Sequence, residues 1–166
     1  MAIIGNGDIA KVLKEVDRED RLFFASGVSN SGETKRSEYE REKKLLLSQD
    51  KYRHIVYFSS FCVYYSDSLY AQHKRRMEGL VKKTFKHYTI VRIGNISWGS
   101  NPNTLINFLR NKIKNKQPYE VRSVYRYVVD KDEFLYWIKM IPDWNDTMNI
   151  MGRRLLVKDI VKEYTR

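Results

Sequence analysis

Ile55-Val56-Tyr57-Phe58 is a continuous apolar run rich in β-branched and aromatic residues. A strand of that kind is covered on both faces, as in a parallel sheet flanked by helices. Tyr88–Ile93 (YTIVRI) repeats the pattern, and residues 35–49, before the first run, read as a helix with Tyr39, Leu45, Leu46 and Leu47 apolar. Buried strands alternating with helices define an α/β chain. After the first run, Ser59 and Ser60 end the strand, and the turn-forming Ser66-Asp67-Ser68 leads into another helix. On that helix Tyr70 and Lys74 stand four residues apart, hence on one face.

The start of the chain fits the same class. Ala2-Ile3-Ile4 is a short apolar strand, followed by Gly5-Asn6-Gly7-Asp8-Ile9-Ala10. This is G-x-G-x-x-A, a turn that cradles a pyrophosphate: Gly5 permits the tight turn, Gly7 lets the backbone approach, and Ala10 allows close helix–strand packing. Ile9, Val12, Leu13 and Val16 then fall on one helical face. Gly-Asn-Gly is also a common plain turn. A polar stretch, Asp17 to Arg21, separates this helix from the next strand, Leu22-Phe23-Phe24-Ala25, whose carboxyl end runs into Ser26-Gly27-Val28.

Chemistry is suggested by the Tyr70 and Lys74 pair. An ammonium beside a phenol favours the phenolate, which makes Tyr70 a candidate acid/base at neutral pH. Ser60 could share a hydrogen bond with that phenol and a substrate oxygen. Among twelve Tyr, one Tyr-x-x-x-Lys match is expected by chance, and a solvated helix face would also account for it. The order is more telling: buried strand, Ser60, Val63-Tyr64, then Tyr70 and Lys74 on a helix. In this order the chain resembles the short-chain dehydrogenase/reductase superfamily, in its extended epimerase/dehydratase branch. The resemblance implies catalytic roles for Ser60, Tyr70 and Lys74. It implies NAD or NADP at Gly5, Asn6, Gly7, Asp8, Ile9, Ala25, Ser26, Gly27 and Lys74, and a nucleotide-linked sugar met by Arg92 and Asn95. These last two lie in Arg92-x-Gly94-Asn95-Ile96-x-Trp98-Gly99, similar to the family's Arg-Pro-x-Asn-x-Tyr-Gly segment. The fold implied is a reduced Rossmann type, a mainly parallel sheet of about five strands flanked by helices. Leu22–Ala25 matches the family's fourth strand, so the second and third are missing. No acid stands where the cofactor ribose is bound: Asp17 is too early and Glu33 too late. Helices 35–49 and 70–83 correspond to the family's homodimer face.

The 166 residues are enough for a single domain spanning 1–166, with 42% hydrophobic residues to fill a core. Helices are expected over Asn103–Lys116, Asp130–Ile141 and about Val157–Tyr164, with strands at Tyr125–Val129 and Met148–Met151. The lone Cys62 excludes an internal disulfide, no Cys/His spacing suggests a metal, and no apolar run could span a bilayer. A cytoplasmic protein is therefore expected. Net charge is +11, and residues 71–118 hold eleven Lys and Arg against the single acid Glu78. Such a stretch could attract nucleic acid. Two alternatives thus stand beside the enzyme: a non-catalytic relative acting as a subunit or regulator in polysaccharide synthesis, and a basic nucleic-acid-binding module.

Overall fold

The structure is a computed structural model describing residues 2–16 and 18–166. Asp17, set aside above as a ribose ligand, lies outside the described residues. Five parallel strands form the main sheet in the order β1 (Ile3–Ile4), β2 (Arg21–Phe24), β3 (His54–Ser60), β4 (Tyr88–Ile93) and β7 (Asp146–Ile150). Every residue of β2 is buried, and β3 is buried from His54 to Ser59, as apolar runs without alternation require. The strand β3 does not stop at Phe58. Ser59 and Ser60 remain paired, opposite Arg92 and Ile93 of β4.

Two helical layers cover the sheet. On one face α2 (Arg36–Leu47) and α3 (Leu69–Thr84) place Leu46, Met77 and Val81 on Phe24, Ile55, Tyr57 and Ile90. On the other, α1 (Asp8–Leu13) and α5 (Lys131–Lys139) place Val12, Leu13, Phe134 and Ile138 on Phe23, Val56, Phe58 and Val91. The steps β1 to β2, β2 to β3 and β3 to β4 all run in one direction across the sheet. The crossover through α1 therefore has the opposite hand to those through α2 and α3. About 98% of such connections share one hand, so this exception has a cause. Two further strands beyond β1 would let α1 feed the far edge with the usual hand. Without them the chain leaving α1 enters the strand on the other side of β1. The absence expected from the sequence is thus written into the topology, and β1 is left as a two-residue edge.

A second, three-stranded sheet was not foreseen. It joins β5 (Asn95–Ile96), β6 (Tyr125–Val129) and β8 (Arg153–Leu156). With α4 (Leu105–Lys114) and α6 (Val157–Tyr164) it encloses a separate core of Ile106, Leu109, Val128, Val157 and Ile160. This lobe overhangs the carboxyl ends of the main strands.

Gly5 is a structural glycine. Its φ is +129°, and a Cβ there would lie 2.3 Å from the Ala25 carbonyl oxygen, which is backbone of the loop after β2. Gly5→Ala is expected to cost about 3 kcal/mol, combining unfavourable φ with a forced backbone shift, read from the urea unfolding midpoint.

Candidate active site

The carboxyl ends of β1 to β4 open into a cleft of about 1170 Å³ between the main sheet and the small lobe. Ligands of open α/β sheets bind at such ends. The cleft is lined by Asn6, Gly7, Asp8, Ile9, Ala25, Ser26, Gly27, Ser60, Tyr70, Lys74 and Asn95. The structure thus brings together residues that the sequence scatters over ninety positions. Two expected residues do not line it. Gly5 lies behind the turn, packed on Ala25. Arg92 is turned away: its guanidinium grips Glu78 at 2.7 and 3.0 Å and reaches the Tyr64 hydroxyl at 2.7 Å. Glu78 also accepts from the Ser59 hydroxyl at 2.6 Å, so Arg92 ties β4 to α3 and β3. Substrate contact by Arg92 does not follow from this placement, because its donors are committed to the buried Glu78 and to the Tyr64 hydroxyl.

Each remaining side chain is held for a local reason. Ser60 ends β3 and caps the 3-10 turn Phe61–Tyr64, accepting from the Cys62 amide at 3.2 Å. The short connection to α3 is pinned by Arg75, which donates to the Val63 and Ser66 carbonyls, both at 2.9 Å. Ser68 caps α3 through the Ala71 amide. Tyr70 thereby enters the cleft one helical turn before Lys74. Asn95 Nδ2 donates to the Tyr127 carbonyl at 2.9 Å, joining β5 to β6 at the cleft margin. A side pocket of about 250 Å³ opens beside Ser60, walled by Phe61, Cys62, Tyr65, Tyr125, Arg126 and Tyr127.

The electrostatics overturn one expectation. Tyr70 does not titrate below an ordinary tyrosine. Burial pushes its phenol up, and the nearby Lys74 charge and Ser60 hydroxyl offset that only in part. The Lys74 ammonium is itself paired with Glu42 on α2 at 3.1 Å and donates to the Tyr57 hydroxyl at 3.2 Å. Glu42 is fully buried and also accepts from Tyr57 (2.5 Å), the Val28 amide (2.8 Å) and His73 Nε2 (3.0 Å). Burial alone would raise this carboxyl. Lys74 and the three hydrogen bonds outweigh it and hold Glu42 well below the usual carboxylate range. The sequence reading missed Glu42. One signal was present: Tyr39, Glu42 and Leu46 share the inward stripe of α2, so an acid occupies a core position.

Cations line the cleft as well. Lys11, Arg41 and Arg126 border it together with Lys74, against the carboxylate of Asp8. Asp8 accepts from the Ser100 and Asn101 amides at 3.1 and 2.9 Å, tethering the loop after β5 to the glycine turn. The basic stretch 71–118 is less available than its count suggests. Lys74 and Arg92 face acids inside the protein, Arg75 holds a loop, and most of the rest divide between α3 and α4, which pack on different cores. Among the described residues no group of His, Cys, Asp and Glu could hold a metal ion, and no helix is long and apolar enough to cross a membrane.

No protein-family model and no curated protein matches this chain. Solved structures do. UDP-glucose 4-epimerase of Thermotoga maritima, with UDP-glucose, superposes with a TM-score of 0.66 at 14% identity, over 92% of this chain and 62% of that one. UDP-glucuronic acid 4-epimerase of Bacillus cereus, with NAD and a fluorinated sugar nucleotide, gives 0.66 at 14%, over 95% and 61%. The dTDP-4-dehydrorhamnose reductase of Bacillus anthracis, with NADP, gives 0.61 at 14%, over 93% and 66%. The chain therefore has the Rossmann-like fold of nucleotide-sugar epimerases and reductases. It does so in shortened form, spanning about three-fifths of the length of the first of these structures.

Proposed function

We propose that this protein is a nicotinamide-dependent oxidoreductase or epimerase/dehydratase-like enzyme acting on a nucleotide-linked sugar, with NAD or NADP as cofactor. One observation carries the reading: Ser60, Tyr70 and Lys74 line the same cleft as Gly7, where an added Cβ would meet nothing within 4 Å. The phosphate side fits a dinucleotide, because Gly7 leaves room for close approach and Lys11, Arg41 and Arg126 supply positive charge. The adenosine side is reduced to the bare edge of β1. A bound nicotinamide would supply the hydride exchange. Ser60 would orient the substrate oxygen, and Tyr70 would hold the transferable proton. Lys74 has three ammonium hydrogens, two of them engaged by Glu42 and Tyr57. The third is left for the cofactor ribose. The tyrosine-walled side pocket next to Ser60 would take the planar or ring part of the substrate.

A second reading, a sugar-nucleotide-binding protein without turnover, is favoured by the lost edge strands and the Glu42–Lys74 pair. A homodimer through α2 and α3 finds little support in their outer faces. Arg36, Lys43 and Lys44 are exposed on α2 and Arg76, Lys82 and Lys83 on α3, an excess of positive charge that Glu38 and Glu40 offset only in part.

Calorimetric titration with NAD, NADH, NADP, NADPH and UDP-sugars separates the readings. The enzyme requires a dinucleotide Kd in the micromolar to millimolar range, and binding of UDP-sugar alone supports the second. Tyr70→Phe should leave that affinity nearly unchanged, since it removes only the proton carrier. The ultraviolet phenolate titration of wild type minus Tyr70→Phe should show a component above the ordinary tyrosine range, near ~10. A component at or below that range would overturn the upward direction given for Tyr70.

A further inference from the structure

The charged groups beside the proposed proton carrier, Lys74 and Glu42, pair with each other and not with Tyr70 as the sequence suggests. Lys74 on α3 reaches past Tyr70 to Glu42 on α2, and the loop after β2 is shaped around that contact. A Cβ on Gly27 would lie 2.6 Å from Lys74 Nζ and 3.1 Å from Glu42 Oε1. The side-chain carboxylate is saturated: Oε1 accepts from Tyr57 and Lys74, and Oε2 from the Val28 amide and His73. Four acceptances exhaust a carboxylate. Tyr57 on β3, Tyr39 on α2, and Tyr70, His73 and Glu78 on α3 complete the titratable surroundings, with Cys62 in the 3-10 turn. Tyr39 lies against His73, with ring centres 4.5 Å apart and planes tilted by 39°.

We infer that Glu42 is a positioning residue of this site, the built-in counter-ion that keeps the Lys74 ammonium charged, fixed in direction and presented to the cleft beside Gly27. This rests on the reading of Ser60, Tyr70 and Lys74 as one site. It also alters the expected role of Lys74. A lysine whose charge is balanced by an internal carboxylate serves as a hydrogen-bond donor to a bound hydroxyl more than as the cation that ionises Tyr70. Tyr70 accordingly stays a phenol over the physiological range, ready to give a proton to an oxygen gaining charge.

The closing experiment follows Lys74 itself in the full-length protein. Its side-chain Cε and Nζ resonances, assigned by comparison with Lys74→Met, are recorded against pH in wild type and Glu42→Gln. In wild type the Lys74 resonances should stay those of a charged amine to higher pH than exposed lysines do, in keeping with the upward shift that Glu42 produces against burial. In Glu42→Gln the ammonium loses its counter-ion and should lose its proton below the exposed lysines. NADH affinity, measured on the same samples, should fall at least tenfold. An unmoved Lys74 titration in a folded Glu42→Gln overturns the inference, and so does a moved titration with NADH affinity within twofold of wild type. If Glu42→Gln does not fold, Tyr57→Phe supplies the second variant, since it removes one hydroxyl from both Glu42 and Lys74. It should loosen the fixed direction of the ammonium and weaken NADH at least threefold, and unchanged binding again overturns the inference. A wild type that binds no dinucleotide removes the reading of the site instead. The Lys74 titration then still decides whether Glu42 holds its charge.

Discussion

Lys74→Met should cost the fold about 3–5 kcal/mol at neutral pH, the range found when one partner of a buried ion pair is removed. Met keeps the straight chain and fills similar volume, so the loss reports on charge. Glu42 would remain fully buried with its three hydrogen bonds and no cation. The pH dependence should change sign. In wild type Glu42 is held below its unfolded value. Its contribution is therefore complete above about pH 4.3 and is lost as pH falls through the folded value. In Lys74→Met, burial raises Glu42 above its unfolded value, so the native state binds a proton that the unfolded state releases. Stability of the variant then rises as pH falls from the raised folded value towards ~4.3. His54 supplies a background common to both proteins. Burial lowers it to about 4, so its neutral form favours the fold above its unfolded value, and that share is lost as acid approaches the folded one. The difference between wild type and Lys74→Met removes this background. Urea midpoints between pH 7 and pH 4 should show a gap that narrows with acid. A gap that stays constant would mean that Lys74 and Glu42 do not share charge in the folded protein.

What the sequence revealed and what it hid divide along a physical line. Apolar runs are local signals, so β2, β3 and β4 were legible, as were the helices that became α2, α3, α4 and α5. The motif residues Gly7, Ser60, Tyr70, Lys74 and Asn95 were legible because their spacing and order carry information, and the cleft gathers them. The small sheet was not legible. Its strand β8 is Arg153-Arg154-Leu155-Leu156, with no alternation, and it exists because it pairs antiparallel with β6 some thirty residues earlier. The chain from Gly94 to Gly99 carries no strand pattern, and its two-residue strand β5 likewise depends on β6. Arg92 looked like a ligand for substrate because nothing local announces Glu78, fourteen residues back and one helix away. Glu42 was hidden for the same reason. Of the three acids in Arg36-Ser37-Glu38-Tyr39-Glu40-Arg41-Glu42 only Glu42 shares the stripe of Tyr39 and Leu46, and its partners Tyr57, His73 and Lys74 lie in other elements. The direction of the Tyr70 shift was misjudged because burial, which outweighs the Lys74 charge, is a tertiary property that the spacing does not show.

Gly7→Val should leave the fold nearly untouched and weaken dinucleotide binding by a factor of 100 or more. The contrast with Gly5 sets the argument. Gly5 has a positive φ and no room for a Cβ, so the backbone itself requires glycine there. Gly7 is required by neither condition. It sits at the N-cap of α1 with φ −78° and ψ −172°, extended backbone that any residue adopts, and a Cβ would meet nothing. The expected stability change is therefore under about 1 kcal/mol, the scale of losing a permissive N-cap residue. In the complex the same open space is where phosphate oxygens would approach the backbone, and a branched side chain would fill it. Asp8 sharpens the expectation, because its carboxylate is already fixed one residue away by the Ser100 and Asn101 amides. A phosphate displaced from Gly7 by the Val methyls leaves the open first amides of α1 and stays beside that fixed negative charge. Gly7→Ala, which adds one methyl group, should fall between wild type and Val. Calorimetry with NADH and urea unfolding on the three proteins give both quantities together. A Val variant that is folded and binds as tightly as wild type would show that the turn is a plain turn, and that any ligand of the cleft sits nearer Arg41 and Arg126.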